Sequence, residues 1–300
     1  MFSLHRLKLE DKAWIDPLVM AENTQSADFS FGSMLIWNEA FIQYVGRFCD
    51  RLIVRVKTGD GIFHAFPVGS GPLVPVLSAL IEEARQKGEP LTIYGATQPH
   101  KDLIEKEMPG VFSFKSEEKF YDYVYEIDKL ADLPGRKLHA KKNHVNKFMS
   151  LFPDWHYEDM TPAHFKDCLQ LLSSWDKDHD SGEAHDQITG EAAAIRRALD
   201  NFEALQFEGG VLYANGQICA FTIGEKNSPD TMIVHFEKAD TGFEGSYAMI
   251  NRQFAIHVRE RHPEIRYLNR CDDMGIESLR KAKHSYRPFC QVVKYTMTLN

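Results

Sequence analysis

The sequence has few cysteines, no long apolar run and no excess of basic residues, and each absence excludes a class of protein. Its five cysteines among 300 residues are scattered and form no C-x-x-C pair, which favours reduced thiols in a cytoplasmic protein over a disulfide framework or a zinc ribbon. No window approaches the roughly 18 consecutive apolar residues that a membrane-spanning helix needs. Charged residues occur within the first eight positions, so we expect no signal peptide.

The charge balance is acidic, with 35 Lys and Arg residues against 43 Asp and Glu residues and a net charge of −8. Proteins that bind nucleic acids over a large surface are usually basic, so any RNA contact must come from a local patch. One stretch, 136–147, is rich in Lys, Arg and His and has no acidic residue. Its RNA-binding candidates are Arg136, Lys137, Lys141, Lys142 and Lys147. The alternative is a helix face that is simply solvated.

The chain length and a Pro-Gly break near the middle of the chain predict two domains. A chain with 43% hydrophobic and 26% charged residues is typical of a folded protein, and 300 residues suffice for two domains. Pro134 and Gly135 interrupt the chain just before the basic stretch. We therefore predict an N-terminal lobe at 1–134, a basic connecting helix at 135–150 and a C-terminal lobe at 151–300.

The C-terminal half predicts the element order β-α-α-β-β-β-α-β-α-β. Thr161-Pro162 is a helix start, Asn215-Gly216 is a hairpin turn between two apolar strands, and an amphipathic helix at 247–261 ends before Pro263. This is the element order of the GNAT acyltransferase fold, and the N-terminal half has a similar order. The sequence thus predicts an α+β protein with two tandem GNAT-like lobes, each a mixed sheet flanked by helices.

GNAT folds bind the pyrophosphate of coenzyme A at the turn before the central helix, in a Q/R-x-x-G-x-G/A pattern, because the N–H groups at a helix start attract anions. The turn at 242–247 keeps only the central glycine, and its cofactor-binding candidates are Gly242, Gly245 and Ser246. The corresponding turn at 66–71 has both glycines but no leading Gln or Arg. Plain loops with turn glycines are the alternative.

Charged and polar residues follow the predicted strands at 231–236 and 265–269, where α/β folds place ligands. The catalytic candidates are Asp240 or Asp273 as general base, Arg270 with Lys281 as oxyanion-binding cations, and Tyr286 as proton donor. The substrate-binding candidates are His235, Glu237, Asn269, Asp272, Lys283 and Arg287. Lys281 and Lys283 are two residues apart on a helix and point apart, so one faces the site and one faces solvent. Helix capping and an ion pair with Arg270 are the alternative for the aspartates.

No metal is expected. The pattern Asp176-x-Asp178-x-Asp180 imitates the start of an EF-hand loop, but Ser181 and Gln187 stand where that motif requires Gly and Glu. His179, Glu183 and His185 offer a second set of ligands, which we disfavour because they lie in a loop. The P-loop, nucleophile-elbow and H-E-x-x-H motifs are absent from the sequence.

Four segments together resemble one family. They are Gly135–Phe148, His235–Asp240, Tyr267–Gly275 and Leu279–Pro288, and they resemble the DUF2156 family, whose domain is similar to the cytosolic C-terminal domain of phosphatidylglycerol lysyltransferases. The resemblance spans essentially the whole chain. It implies a tandem GNAT-like fold, shared with the peptidoglycan Fem transferases, and an aminoacyl-tRNA or acyl-CoA donor. The lipid enzymes also have a membrane-spanning region, which this sequence lacks.

The expected function is therefore acyl or aminoacyl transfer to an amine or hydroxyl acceptor on a small molecule, a peptide or a lipid head group. In the aminoacyl-tRNA version, the basic segment 136–147 contacts the acceptor arm of the tRNA. Two alternatives remain open at this point. One is an acetyl-CoA-dependent N-acetyltransferase, and the other is a degenerate GNAT fold that binds a ligand without catalysis.

Overall fold

The computed structural model describes residues 2–59, 61–179 and 185–300. Of the two metal-candidate patterns, Asp180, Ser181 and Glu183 lie outside the described residues, and the neighbouring candidate side chains are not described either. Among the described side chains, no group of three or more His, Cys, Asp or Glu residues could hold a metal ion. No helix within the described ranges is long and apolar enough to cross a membrane.

Helices occur along both halves of the chain. They are α1 (Lys12–Glu22), α2 (Phe31–Ile36), α3 (Leu73–Lys87), α4 (Gln98–Glu107), α5 (Ile127–Asp132), α6 (Gly135–Leu151), α7 (Phe165–His179), α8 (His185–Asp200), α9 (Phe202–Leu205), α10 (Ser246–Arg261) and α11 (Glu277–Ser285). The helix α6 lies where the sequence predicts the basic helix.

The strands range from two to ten residues in length. They are β1 (His5–Arg6), β2 (Ile42–Phe48), β3 (Arg51–Thr58), β4 (Gly61–Ala65), β5 (Thr92–Thr97), β6 (Phe112–Ser116), β7 (Asp122–Glu126), β8 (His156–Asp159), β9 (Glu208–Ala214), β10 (Gln217–Lys226), β11 (Thr231–Ala239), β12 (Tyr267–Asn269), β13 (Cys290–Val292) and β14 (Lys294–Leu299).

Within the described residues the strands form two mixed sheets with the same plan. Their orders are β1-β2-β3-β4-β5-β14-β6 and β13-β7-β12-β11-β10-β9-β8. In each sheet an antiparallel run leads to one parallel pair, β4 with β5 and β11 with β12, and a single helix, α3 or α10, connects the two parallel strands. β11 and β12 therefore run in the same direction, and the carboxyl end of β12 at Asn269 is paired with Ile233 of β11.

The chain divides into two compact units whose limits differ from the predicted lobes. The first unit comprises the residues up to Asp122 together with Asp272–Ile276 and Gln291–Asn300, and the second comprises Tyr123–Cys271 and Glu277–Cys290. The difference comes from strand pairing. β7 pairs with β12, whereas the C-terminal strand β14 pairs with β5 and β6. The predicted boundary at residue 134 therefore does not coincide with the limit between the units.

The core of the second unit holds two tyrosines that bear on the site. Tyr125 of β7 and Tyr286, which follows α11, are both buried in one hydrophobic cluster that also contains Phe254 of α10 and Leu268 of β12. Because β7 and β12 are antiparallel neighbours, with Tyr125 paired to Leu268, Tyr125 is held next to the end of β12. The fold thus brings an aromatic wall to the point where the chain leaves β12.

Candidate functional site

The candidate site is built around an ion pair at the ends of β11 and β12. Nη2 of Arg270 lies 2.8 Å from Oε1 of Glu237, and the two side chains are only 14% and 10% exposed. Nδ2 of Asn251, on α10, donates a hydrogen bond to the other oxygen of Glu237 at 3.0 Å. This pair forms because β12 ends opposite Ile233 of its parallel neighbour β11, so Arg270 leaves β12 beside β11 and its long side chain reaches Glu237 further along that strand.

Two aromatic rings enclose the guanidinium group. The Cζ atom of Arg270 is 4.9 Å from the ring centre of Tyr286 and 5.7 Å from that of Tyr125, distances at which a cation is attracted to an aromatic ring. Nη1 of Arg270 is buried and has no hydrogen-bond partner among the described residues. The group therefore keeps one N–H arm for a further acceptor.

A lysine of the basic helix α6 contacts one of these two aromatic rings. Nζ of Lys141 lies 4.2 Å from the ring centre of Tyr286. Burial, and then the positive charge of Arg270, lower the pKa of Lys141. Burial also raises the pKa of the Tyr286 hydroxyl, which therefore stays protonated. We call the group formed by Tyr125, Lys141, Glu237, Arg270 and Tyr286 the Arg270 centre.

The two lysines of α11 point apart, as their spacing predicts. Lys283 is buried, and its Nζ donates hydrogen bonds to the carbonyl oxygens of Arg270 at 2.5 Å and Cys271 at 3.1 Å. The hydroxyl of Tyr125 donates to the carbonyl oxygen of Lys283 at 2.8 Å. Lys281 is 74% exposed and pairs with Glu277. Lys283 thus fixes the chain that carries Arg270, whereas Lys281 is on the surface.

Two N–H groups of the turn before α10 donate hydrogen bonds within that turn. The N–H of Gly242 donates to Oδ1 of Asp240 at 2.8 Å, and that of Ser246 donates to the carbonyl oxygen of Phe243 at 3.0 Å. Gly245 has φ +90°, and a Cβ there would lie 2.4 Å from the carbonyl oxygen of His144 in α6. The backbone of α6 therefore packs directly against this turn, and two of the three cofactor-binding candidates have N–H groups that are already bonded.

The corresponding turn of the first unit holds a carboxylate of the chain itself. Glu22 accepts hydrogen bonds from the N–H of Gly69 at 2.7 Å, from Nη1 of Arg51 at 3.1 Å and from Nε2 of His100 at 2.8 Å. Burial alone would raise the pKa of Glu22, but these donors lower it overall. An internal anion thus takes the N–H group that a phosphate would need.

Comparison with known proteins identifies the family. Residues 21–298 match the family model described as "Phosphatidylglycerol lysyltransferase, C-terminal". The chain belongs to this family. The resemblance that the sequence predicts is therefore confirmed.

The solved structures agree with this family assignment. A conserved protein of unknown function from Bacteroides thetaiotaomicron is 36% identical, with both chains covered completely and a TM-score of 0.94. The DUF2156 domain of a protein described as a lysylphosphatidylglycerol synthetase, from Agrobacterium fabrum, is 15% identical over 97% of this chain and 92% of that one, with a TM-score of 0.69. This second likeness shows the fold alone.

This family member is also similar to one further solved structure and to one curated protein. A tandem GNAT protein from the clavulanic acid biosynthesis pathway is 12% identical over 99% of this chain and 98% of that one, with a TM-score of 0.51, which agrees with the predicted tandem GNAT-like fold. An uncharacterized protein of Mycoplasmoides gallisepticum is 24% identical over 176 residues, 58% of this chain and 54% of that protein. The chain thus spans about half the length of this curated relative.

Other predicted site residues of this family member have local roles. Nε2 of His235 lies 2.9 Å from Oε1 of Glu225, with both side chains buried. Oδ1 of Asn269 accepts the N–H of Cys271 at 2.7 Å. Oδ1 of Asp272 and of Asp273 accept the N–H groups of the residues two positions on, at 3.1 and 2.8 Å. These aspartates belong to the first unit and not to the unit of Arg270.

The basic candidates of α6 lie on its solvent face. Leu138, Val145 and Phe148 bury the opposite face. Four of the five candidates are exposed, namely Arg136, Lys137, Lys142 and Lys147. Lys147 forms an ion pair with Glu244 at 2.7 Å. Lys141 is the half-buried exception and connects this face to Tyr286.

Sequence reasoning missed Tyr125 and Asn251. Tyr121, Tyr123 and Tyr125 alternate along one strand, a pattern that puts them on one face, but the sequence assigns this strand to the first lobe. Asn251 occurs in a helix of buried apolar residues, and a polar residue in such a position is usually hydrogen-bonded. Both signals were present in the sequence, but nothing in it names their partners.

Proposed function

We propose that this chain is an aminoacyl transferase, which takes an aminoacyl group from aminoacyl-tRNA and passes it to an amine or hydroxyl acceptor. Family membership supports the reaction class. The observation that carries the proposal is the position of Lys141. This residue of the basic helix lies against the Tyr286 ring, next to the largely buried Arg270–Glu237 pair. A surface suited to RNA and a centre suited to acyl transfer are thereby joined within one unit.

The chemistry assigns one task to each group. The nucleophile attacks the ester carbonyl, and its carbon–nitrogen or carbon–oxygen bond forms as the bond to the ribose oxygen breaks. Arg270 donates its remaining N–H arm to the oxyanion, an interaction of the kind that accelerates acyl transfer by about 100-fold or more. Tyr286 gives a proton to the departing ribose oxygen. Asp240, one of the two predicted bases, receives the proton that the nucleophile loses.

Lys141 takes the role that the sequence assigns to Lys281. A cation close to Arg270 strengthens the field at the oxyanion, and Lys141 contacts the same Tyr286 ring as Arg270 does. Lys281 is exposed and paired with Glu277. Glu237 pairs with the guanidinium of Arg270, and Lys283 donates to the backbone carbonyl oxygen of the same residue.

The turn before α10 favours a donor in which the acyl group is attached to tRNA over one in which it is attached to coenzyme A. The N–H groups of Gly242 and Ser246 are bonded within their turn, and the carboxylate of Asp240 lies in the same segment, where it repels pyrophosphate. In contrast, α6 presents a face of exposed lysines with one exposed arginine, Arg136. An aminoacyl-tRNA donor also agrees with the cytoplasmic location that the thiols predict. The acceptor is an amine or hydroxyl group on a small molecule, a peptide or a lipid head group.

A thermal-shift experiment tests the donor. The probes are tRNA carrying an amide-linked, non-hydrolysable aminoacyl group, the same tRNA without the group, and acetyl-coenzyme A. We expect stabilisation by both tRNAs, greater for the aminoacylated one, and none by acetyl-coenzyme A. Stabilisation by acetyl-coenzyme A alone would indicate an N-acetyltransferase, and stabilisation by none of the probes would favour a non-catalytic module.

A further inference from the structure

The turn at 66–71, which precedes α3, surrounds a carboxylate of the chain itself. The N–H of Gly69 and Nη1 of Arg51 donate to one oxygen of Glu22, at 2.7 and 3.1 Å, and Nε2 of His100 donates to the other at 2.8 Å. The side chains of Glu22, Arg51 and His100 are only 11%, 10% and 10% exposed. We call Gly69, Arg51 and His100 the Glu22 cage. These three donors hold a single anion that is largely shielded from solvent.

Arg51 keeps its position through contacts other than the carboxylate. Its Nε donates to the carbonyl oxygen of Gly71 at 2.7 Å, and its Nη1 also donates to that of Pro67 at 2.7 Å. These two carbonyl groups lie on either side of Gly69 in the sequence, so the guanidinium and the turn fix each other. The turn also packs closely on the connection between β2 and β3, because a Cβ at Gly69 would lie 2.3 Å from a backbone carbonyl oxygen there.

His100 is also positioned by groups other than the carboxylate. Its Nδ1 accepts the N–H of Thr97, the residue before α4, at 3.1 Å, and its ring stacks on that of Phe66 with the ring centres 4.0 Å apart. Since Nδ1 is the acceptor, the proton of the neutral imidazole is on Nε2, which faces Glu22 as a donor. The members of the Glu22 cage thus point to one place for reasons that do not involve the carboxylate.

The Glu22 cage consists of the kinds of donor that proteins use to bind phosphate. A backbone N–H, an arginine and a histidine N–H combine direct hydrogen bonds with positive charge. The turn is the first unit's counterpart of the turn at which GNAT folds bind the pyrophosphate of coenzyme A, and the carboxylate of Glu22 takes the position that a phosphate needs. Because the donors are already ordered, they can accept another oxyanion at little cost once the carboxylate is removed.

We propose that the Glu22 cage is a preformed receptor for a phosphate group and that Glu22 is its internal ligand, which excludes an external one. The inference goes beyond the proposed function, since the cage belongs to the first unit and the Arg270 centre to the second. It also implies that coenzyme A does not fit the turn of the first unit while Glu22 is present. A merely structural ion pair would make the same contacts, but other anions could not replace its carboxylate.

The test removes the carboxylate and offers anions in its place. Glu22→Ala should lower the thermal midpoint by about 5 °C or more, because the largely buried Arg51 loses its counterion. Inorganic phosphate and formate, each titrated against sodium chloride at constant ionic strength, should then raise the midpoint of the variant along a saturable curve and recover about half of the loss or more. Neither anion should give a saturable shift of the wild type. A non-saturable response, equal in variant and wild type, would overturn the proposal.

Two further variants separate anion binding from a general loss of stability. Glu22→Gln keeps the space of the side chain filled, so it should lose less stability than Glu22→Ala and show no recovery by anions. Glu83→Ala is the matched control, because Glu83 is 9% exposed and pairs with Arg55 and Lys87 at 2.9 and 2.7 Å. These partners are 22% and 35% exposed and can be solvated by water instead, so we expect its loss to persist in phosphate and formate. Equal recovery in all three variants would be a general salt effect and would contradict the proposal.

A very unstable Glu22→Ala variant still gives a clear answer. If it folds only in phosphate or formate and unfolds on dialysis into chloride, the proposal is supported, whereas equal instability in all three salts contradicts it. Coenzyme A is the last probe. Recovery by coenzyme A as well as phosphate identifies the excluded ligand as the pyrophosphate of a nucleotide, and recovery by phosphate alone identifies a free phosphate ion. None of these measurements involves tRNA, so their failure leaves the proposed function standing.

Discussion

Nζ of Lys141 lies 4.2 Å from the centre of the Tyr286 ring. Through this contact the basic face of α6 meets the Arg–Glu pair at the ends of β11 and β12. Its neighbour Lys142 points to solvent. The two adjacent lysines therefore have different environments, and the proposed function assigns them different tasks.

Substitution of these neighbours should separate chemistry from binding. We expect Lys141→Met to lower the rate of aminoacyl transfer at saturating tRNA by about tenfold or more, because it removes a cation beside the oxyanion. Lys142→Met should instead weaken tRNA binding and leave the saturated rate unchanged. Single-turnover rates at a series of tRNA concentrations give both quantities. Equal effects of the two substitutions would contradict the assignment.

Removal of the charge of Glu237 should destabilise the protein. Glu237→Gln leaves the largely buried guanidinium of Arg270 without its counterion, and breaking a buried pair in this way costs about 3 kcal/mol or more in the free energy of unfolding. Glu105→Gln is the matched control, because Glu105 is 54% exposed and pairs with Lys101 at only 3.7 Å. It should change the stability by less than about 1 kcal/mol. Chemical denaturation followed by circular dichroism measures both, and equal losses would argue against a buried pair.

Gly245 should tolerate no side chain. A Cβ there would lie 2.4 Å from the carbonyl oxygen of His144 and 3.1 Å from Cβ of Phe148, so Gly245→Ala must displace α6 from α10. Gly110 also has a positive φ, +73°, but a Cβ there meets nothing within 4 Å. We therefore expect Gly110→Ala to cost only the backbone strain, about 1 kcal/mol, and Gly245→Ala to cost clearly more. Similar thermal midpoints for the two variants would contradict this packing.

His64 should make the stability depend on pH. Burial, and then the charge of Arg55, lower the pKa of His64 from 6.5 to about 4. In this window the unfolded chain binds a proton that the folded chain does not, so stability falls as the pH drops from about 6.5 to about 4. At about 1.4 kcal/mol per pH unit the loss reaches about 3 kcal/mol.

The measurement compares wild type with His64→Gln at several pH values in this window. The wild type should lose more stability than the variant as the pH falls, and the two should respond alike above pH 6.5. His139→Gln, at an exposed histidine of α6, is the control and should follow the wild type. Parallel curves for the wild type and His64→Gln would mean that His64 is not held neutral by the fold.

Much of the fold could be predicted from local sequence patterns. The Asn215-Gly216 turn joins β9 to β10, and the apolar spacing at 247–261 corresponds to α10. The pairing of β7 with β12 and of β14 with β5 and β6 could not be predicted. Strand partners that are far apart in sequence depend on tertiary packing, which local periodicity does not record.

The sequence predicted which types of residue occur at the site, but not which of them pair with each other. The sequence indicated a cation after β12 and a carboxylate on β11, and the structure pairs Arg270 with Glu237. Helical spacing showed that Lys281 and Lys283 point apart, but could not say which one faces inward. Lys283 does so because its Nζ donates to the carbonyl oxygens of Arg270 and Cys271.

The most direct test of the account is single-turnover transfer by Arg270→Lys. The probes are tRNA charged with radiolabelled amino acids, and as acceptors phosphatidylglycerol vesicles and, separately, a lysine-containing peptide. Lysine keeps a charge for Glu237 but lacks the second N–H arm, so we predict a fall in rate of about 100-fold with a nearly unchanged thermal midpoint, whereas Arg47→Lys at an exposed position should transfer normally. Transfer by Arg270→Lys at the wild-type rate would contradict the account.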